Sequence, residues 1–261
     1  MAQAPTVIVT RPAREAARWV EALRAAGLDA AALPLIAIEP ATDRAPLADA
    51  WARLADYAAL MFVSAAAVEH FFAAAPAAPD AAAFAQRRWW STGPGTARAL
   101  RQAGVPAAAI DTPSEAAAQF DSEALWQDVQ AQVRPGLRVL IVRGGDAQGR
   151  PAGREWLKDR IESAGGQCEV VASYRRLRPV LDAAARALAR RGAAGEAVWL
   201  FSSSEAVANL CAALPDVGWQ AARAVATHAR VAQAAQAARF GAVRVAPPVM
   251  DTLVASIESF R

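Results

Sequence analysis

The chain has few of the residues on which most catalytic centres are built. Among 261 residues there are two cysteines, two histidines and two tyrosines. Cys168 and Cys211 are isolated, with neither a Cys-x-x-Cys pair nor zinc-ligand spacing. That excludes a disulfide scaffold or zinc module and fits a reduced, cytoplasmic compartment. Two histidines, His70 and His228, with two scattered cysteines argue against a metal centre. No run of about 18 strongly apolar residues is present, so a membrane span is not expected. The start lacks a basic segment followed by an apolar core, so no secretion signal is read. A Gly-x-Ser-x-Gly nucleophile elbow is missing as well. There is no Lys/Arg block and no interleaving of aromatic and basic residues, which argues against nucleic acid as a partner.

Two glycine-rich stretches come close to nucleotide motifs without meeting them. In Gly93-Pro94-Gly95-Thr96 the third glycine of a dinucleotide fingerprint is replaced by Arg98. In Gly144…Gly149-Arg150-Pro151, arginine stands where a phosphate-binding loop needs lysine, and proline where it needs Ser or Thr. Nucleotide hydrolysis is therefore excluded. Both stretches still suit an anion, because each follows a strand-like run. Gly93–Thr96 also opens a helix, presenting free backbone N–H groups and the positive end of the helix dipole, whereas Gly144–Arg150 reads as a flexible, arginine-bearing loop.

What the chain does have is alanine, arginine and a repeat. Hydrophobic residues make up 55 %, much of it alanine, which favours helices. The net charge of +3 comes from an arginine-rich set of cations. Arginine's planar fork suits carboxylates, so an acidic small molecule is the expected partner. Phe62-Val-Ser64-Ala-Ala-Ala-Val68 recurs as Phe201-Ser-Ser203-Ser-Glu-Ala-Val207, and Val7–Pro12 is matched by Val139–Gly144. Gly27 and Gly104 find counterparts in Gly165 and Gly241. A period this long is that of a small domain, not of a solenoid unit. Two similar lobes with a ligand held between them are the natural expectation. The repeat alone would place a break near residue 130.

Short apolar runs alternate with alanine-rich amphipathic stretches, the βαβ pattern of parallel sheets covered by helices. Strands are expected at 7–9, 30–38, 57–63, 88–91, 138–142, 169–175, 198–201, 222–226 and 243–245. Helices are expected over 14–26, 65–75, 96–103, 155–164, 180–191, 204–213 and 230–240, with a last one from Met250. Ala73–Ala85 and Asp111–Phe120 read as loops. Two proline-terminated arms, Leu33–Pro40 and Val171–Pro179, read as hinges.

Several residues suit a ligand site. Arg11, Arg143 and Arg154 lie near strand ends, where parallel sheets place their sites. Ser64 and Ser203 stand at the same strand-to-helix step in each copy, where a helix cap is the simplest role. His228 follows a strand, whereas His70 lies inside an apolar helix and reads as structural. Tyr174 replaces an aliphatic side chain of the other copy, opposite Ile36 to within a residue. Burial would demand a hydrogen-bond partner; a cleft position would offer a weak acid.

A series of short segments runs the length of the chain: Val9-Thr10-Arg11-Pro12, Phe62-Val-Ser64, Gly93-Pro-Gly-Thr96-Ala97, Phe120-Asp-Ser-Glu-Ala-Leu125 and Val142-Arg143-Gly144. Gly153-Arg154-Glu-Trp-Leu157, Tyr174-Arg175-Arg176, Phe201-Ser-Ser203 and Thr227-His-Ala-Arg230 complete it. In the order and spacing of these segments the chain resembles the uroporphyrinogen-III synthase family. The stretch Asp146–Pro151 looks lengthened relative to the family's loop. The resemblance implies two α/β lobes with parallel sheets flanked by helices and joined by a two-stranded linker. The first domain would be discontinuous, 1–36 plus 177–261, with 41–171 as the second and 37–40 and 172–176 as linker arms. It implies dehydrating closure of hydroxymethylbilane, an octacarboxylate, to uroporphyrinogen III with ring D inverted through a spiro intermediate. No cofactor is implied. Tyr174 would be catalytic. Arg11, Ser64, Gly93, Gly95, Thr96, Arg143, Gly144, Arg154, Ser203, Thr227 and His228 would contact the substrate. A cytoplasmic monomer receiving its substrate from hydroxymethylbilane synthase, off the membrane, fits this picture. The rival from another class is a non-catalytic two-lobed module binding an acidic small molecule.

Overall fold

A computed structural model describes residues 6–76, 84–114 and 120–260. Most of the low-complexity stretch expected as a loop, and half of the loop expected over Asp111–Phe120, lie outside the described residues. In chain order the elements begin with β1 (Thr6–Val9), α1 (Ala13–Ala25), β2 (Ala30–Ala32), β3 (Ala37–Pro40) and α2 (Ala45–Ala52). Next come β4 (Ala59–Phe62), α3 (Ala65–Phe72), β5 (Arg88–Ser91), α4 (Pro94–Gln102), β6 (Ile110–Asp111) and α5 (Ser122–Val129). They continue with β7 (Arg138–Gly145), α6 (Trp156–Ser163), β8 (Gln167–Leu177) and α7 (Ala183–Ala193). The last are β9 (Ala197–Phe201), α8 (Ser204–Ala213), β10 (Arg223–Ala226), α9 (Ala229–Ala237), β11 (Ala242–Val245) and α10 (Met250–Glu258).

The chain divides into two compact units, one of Met1–Ala37 with Leu177–Arg261, the other of Ile38–Arg176. In the first, five strands run in the order β11-β10-β9-β1-β2, every pair parallel. Val7, Val9, Val198, Leu200 and Val225 pack on one face against α1 and α10. The alternate residues Trp199 and Phe201 turn to the other face, where their rings stack 5.6 Å apart beside Trp219 and Phe240. This is the period of two that a strand buried on both faces requires.

The second unit carries six strands in the order β3-β8-β7-β4-β5-β6. The β8–β7, β7–β4, β4–β5 and β5–β6 pairs are parallel. Neighbouring tryptophans on β5 divide the two faces between them. Trp89 packs with Phe62, Phe71 and Leu100, and Trp90 with Met61, Val139 and Ile141. Both indoles are fully buried, each contributing about 1.5–3 kcal/mol of hydrophobic stabilisation. Their N–H groups are bonded to the Phe84 carbonyl and to Gln132.

The structure corrects several expectations. The strand expected over Ala30–Ile38 is two strands in different sheets, β2 and β3, because Pro34 removes a donor between them. The arms 37–40 and 172–176, expected as the two strands of a linker, do take strand form: the first is β3, and the second is the interior of its sheet neighbour, the long strand β8. Helices α2 and α5 were not expected. The first has Pro46 in its opening turn, where proline is tolerated, and Asp121 caps the second by accepting from Ala124 N at 2.9 Å. Strand β7 runs on through Gly144 and Gly145, so those glycines are strand and not loop. The pairing of Gly104 with Gly241 also fails. Gly104 ends α4 at φ +92°, but after α9 it is Arg239 that takes the left-handed conformation, at φ 65°. Gly241 serves close packing instead, since a Cβ there would fall 1.9 Å from the Gln220 carbonyl oxygen.

Candidate functional site

Within the second unit, the carboxyl ends of the adjacent strands β4, β7 and β8 bring Ser64, Gly144 and Tyr174 together. β7 and β8 stay in register up to Arg143 and Ala172, then Gly144 pairs with Tyr174, leaving Ser173 as an extra residue on β8. Such a bulge re-aims the side chains that follow it. The Tyr174 ring lies over Gly144, where a Cβ would come within 2.7 Å of two ring carbons. Ser64 takes the step from β4 to α3 and caps the helix, its Oγ accepting from Ala67 N at 3.1 Å. The same Oγ stands 3.2 Å from the Tyr174 hydroxyl. Ser173 Oγ donates to the Ala67 carbonyl at 3.1 Å, so the start of α3 is tied to the bulge twice. Tyr174 is 4 % exposed. The phenol is therefore buried, with the hydrogen-bond partner that burial demands.

His70, one and a half turns along α3, sets its ring 5.7 Å from that of Tyr174. Burial depresses its imidazole below the usual range; Glu69 opposes that shift and Arg44 adds to it. Neither periodicity nor composition marked this histidine as a neighbour of the phenol.

The two candidate arginines of this unit, Arg143 and Arg154, have internal partners. Arg143, 5 % exposed, donates to Glu155 at 2.8 Å and to the Arg154 carbonyl at 2.6 Å. Arg154 grips the Glu123 carboxylate with both terminal nitrogens, one at 2.9 Å. Glu123 and Glu155 lie in the Phe120–Leu125 and Gly153–Leu157 segments, where their role as arginine partners was not read. The stretch 146–151 is a turn closed on itself. Asp146 accepts from the Gln148 and Arg150 amides and from the Arg150 side chain, and Gly145 bridges to Pro151. Gly93 opens α4 and packs against Phe120, where a Cβ would come within 2.9 Å. Thr96 is buried in the first turn of that helix, while Gly95 has open space beside it.

The first unit repeats the strand-to-helix step without the phenol. Ser203 caps α8 by accepting from Glu205 N at 3.2 Å. His228 caps α9, its Nδ1 accepting from Arg230 N at 3.1 Å. The Thr227 amide is bonded to the Phe201 carbonyl at 2.9 Å. Arg11 pairs with Glu15 at 2.9 Å and lies 4.5 Å over the Trp19 ring. Among the described residues no three His, Cys, Asp or Glu side chains gather as metal ligands. No helix among them is long and apolar enough to cross a membrane.

The class is set first by these features: an α/β protein of two units with largely parallel sheets, each with a serine-capped helix leaving the carboxyl end of a strand. The family follows from residues 17–255, which match a family model described as uroporphyrinogen-III synthase HemD. The chain belongs to the uroporphyrinogen-III synthase family. Solved structures share the fold at low identity. A mutant uroporphyrinogen III synthase of the extremely thermophilic bacterium Thermus thermophilus is 18 % identical, with 98 % of each chain covered and a TM-score of 0.60. The uroporphyrinogen-III synthetase of Helicobacter pylori is 12 % identical, with 98 % of this chain and 100 % of that one covered and a TM-score of 0.59.

Proposed function

We propose that the chain closes hydroxymethylbilane to uroporphyrinogen III as a hydro-lyase, with Tyr174 assisting the departure of the hydroxymethyl oxygen as water. Membership of the family over residues 17–255 carries the reaction, and the fixed geometry of the phenol supports the role of Tyr174. Loss of that oxygen leaves an azafulvene. Attack by the substituted carbon of ring D gives a spiro intermediate, whose fragmentation and re-closure invert the ring. The substrate supplies its own reactive π-system, so the protein's work is to hold it and to suppress direct closure to the symmetric isomer.

A phenol oxygen accepts from one neighbour while donating its own proton to another. Tyr174 can thus keep a bond to Ser64 and still serve the leaving hydroxyl. Substrate carboxylates would be met by Arg11, by Ser203, Thr227 and His228, and by the first turn of α4 at Gly93, Gly95 and Thr96. A charge-assisted hydrogen bond contributes about 1.5–3 kcal/mol, so several such contacts fix a pose. Arg143 and Arg154, both engaged with Glu155, Glu123 or backbone, would shape the loop beside Gly144 and offer the substrate their remaining N–H groups. A monomer acting in the cytoplasm on bilane handed over by hydroxymethylbilane synthase completes the proposal.

The test is a coupled assay. Hydroxymethylbilane is generated in situ, the protein added, the products oxidised and the porphyrin isomers separated by chromatography. Predominantly type III isomer is expected. Type I alone from folded protein would overturn the reaction and leave a binding module in its place.

A further inference from the structure

We infer that Ser64 is a positioning residue: its hydroxyl donates to the Tyr174 oxygen and so turns the phenol proton toward the substrate. This rests on the reading of Tyr174 given above. Ser64 Oγ already accepts from Ala67 N at 3.1 Å, and a hydroxyl has one proton and two lone pairs. Its proton is therefore free for the phenol 3.2 Å away. If Ser64 donates, the Tyr174 proton is released for the departing hydroxyl; if Tyr174 donated to Ser64, it would not be.

Both sides of the contact are held rigidly. The phenol is buried, lies over Gly144 and follows a bulge in β8. Ser64 is fixed as the cap of α3, whose first turn is tied back to that bulge by Ser173. The separation is thus set by the scaffold, as a preorganised site needs. The first unit supplies an internal comparison. Ser203 occupies the same step after β9 and caps α8 through Glu205 N, while the arm of that copy carries Ile36 where this one carries Tyr174. Capping alone accordingly does not call for a phenol, and the hydroxyl pair is an addition particular to the second unit.

The experiment is a double-mutant cycle of Ser64→Gly and Tyr174→Phe, read as kcat and KM for type III isomer formation. Glycine is chosen because a cap position tolerates it far better than alanine. In the wild-type background Ser64→Gly should lower kcat by about 3- to 10-fold, the size of one net hydrogen bond, with KM changed less than about twofold. In the Tyr174→Phe background it should lower kcat no further. Ser64→Thr, which keeps both cap and hydroxyl, should recover most of the loss, and thermal melts identify any variant that fails to fold. An equal loss in both backgrounds, no loss in either, or a folded Ser64→Thr as slow as Ser64→Gly would each overturn the inference while sparing the role of Tyr174. A Tyr174→Phe single variant with wild-type kcat would overturn that role itself, and the inference with it.

Discussion

The Tyr174 hydroxyl and Ser64 Oγ stand 3.2 Å apart although 110 residues separate them in the chain. Parallel pairing of β4 with β7 and of β7 with β8 closes that distance, placing the three carboxyl ends side by side. One residue of bulge then decides which β8 side chain meets Ser64. In unbroken register Ser173 would sit opposite Gly144; with the bulge it is Tyr174.

Tyr174→Phe keeps the ring over Gly144 and removes only the hydroxyl. Loss of a general acid commonly costs about 10²- to 10⁴-fold, and the lower end applies where the substrate drives much of its own chemistry. We expect kcat to fall by about 10²-fold with the folded state kept, measured by isomer-resolved turnover and circular dichroism. Near-normal turnover would remove Tyr174 from the mechanism.

Gly144→Ala puts a methyl group 2.7 Å from the Tyr174 ring, at the point where β8 bulges against β7. Overpacking of this kind costs about 1–3 kcal/mol. The ring must move, so the Ser64 contact should be lost as well. The variant is expected to melt lower and turn over more slowly than wild type. If thermal melts and kcat were both unchanged, the ring would not be seated where the structure puts it.

The repeat was legible because Phe-x-Ser at 62–64 and 201–203 marks the same step from a buried strand to a capped helix. What the repeat could not show is how its halves are shared out. The first half of the chain sends β1 and β2 to one sheet and β4–β6 to the other; the second half sends β7 and β8 to the latter and β9–β11 to the former. Each compact unit thus joins parts of both copies, and a break near 130 would cut across the fold. Strand β3 was read as the tail of one strand over 30–38, because Ala37-Ile-Glu-Pro40 joins an edge and lacks a long apolar run of its own. At the site, Tyr174 and Ser64 could be singled out by rarity and by position. Their contact could not, since it depends on a bulge that no local residue pattern announces. The partners of Arg143 and Arg154 were invisible for a similar reason: surface-type residues such as Glu123 and Glu155 carry no periodic signal.

His70 gives the unit a dependence on pH. Burial depresses its imidazole, with Arg44 acting in the same direction and Glu69 against it. The unfolded chain therefore takes up the proton more readily than the folded one. The stability tied to neutral His70 is complete above the unfolded value of 6.5 and is lost as pH falls through the lower folded value. His70→Gln removes this titration. Thermal melts between pH 8 and pH 5 should show wild type losing more stability than the variant on acidification; parallel curves would show that the histidine titrates alike in both states.

Glu169 offers a way to separate stability from chemistry. It accepts from Arg138 at 2.5 Å, from Arg53 at 2.9 Å and from the Tyr57 hydroxyl at 2.8 Å. Desolvation raises its pKa, but the bonds from Arg53, Arg138 and Tyr57 outweigh that and hold the carboxyl down at about 2. Tyr57, desolvated and donating to that carboxylate, is pushed up to about 12. Arg138 begins β7, Glu169 lies near the start of β8 and Tyr57 precedes β4. The cluster thus sits at the amino ends of the strands whose carboxyl ends hold Ser64 and Tyr174. Glu169→Gln should lower the melting temperature at pH 7 by about 2–4 °C, as loss of roughly one hydrogen bond's worth of stability would in a chain of this size. The carboxylate's contribution is present above its unfolded value of 4.5 and disappears as pH falls through about 2, so the two melting curves should converge over that interval. Because the cluster lies at the far end of the sheet from the phenol, kcat measured below the melting transition should stay at the wild-type value. A variant that lost turnover while still folded would place Glu169 in the chemistry and would require the site to be redrawn.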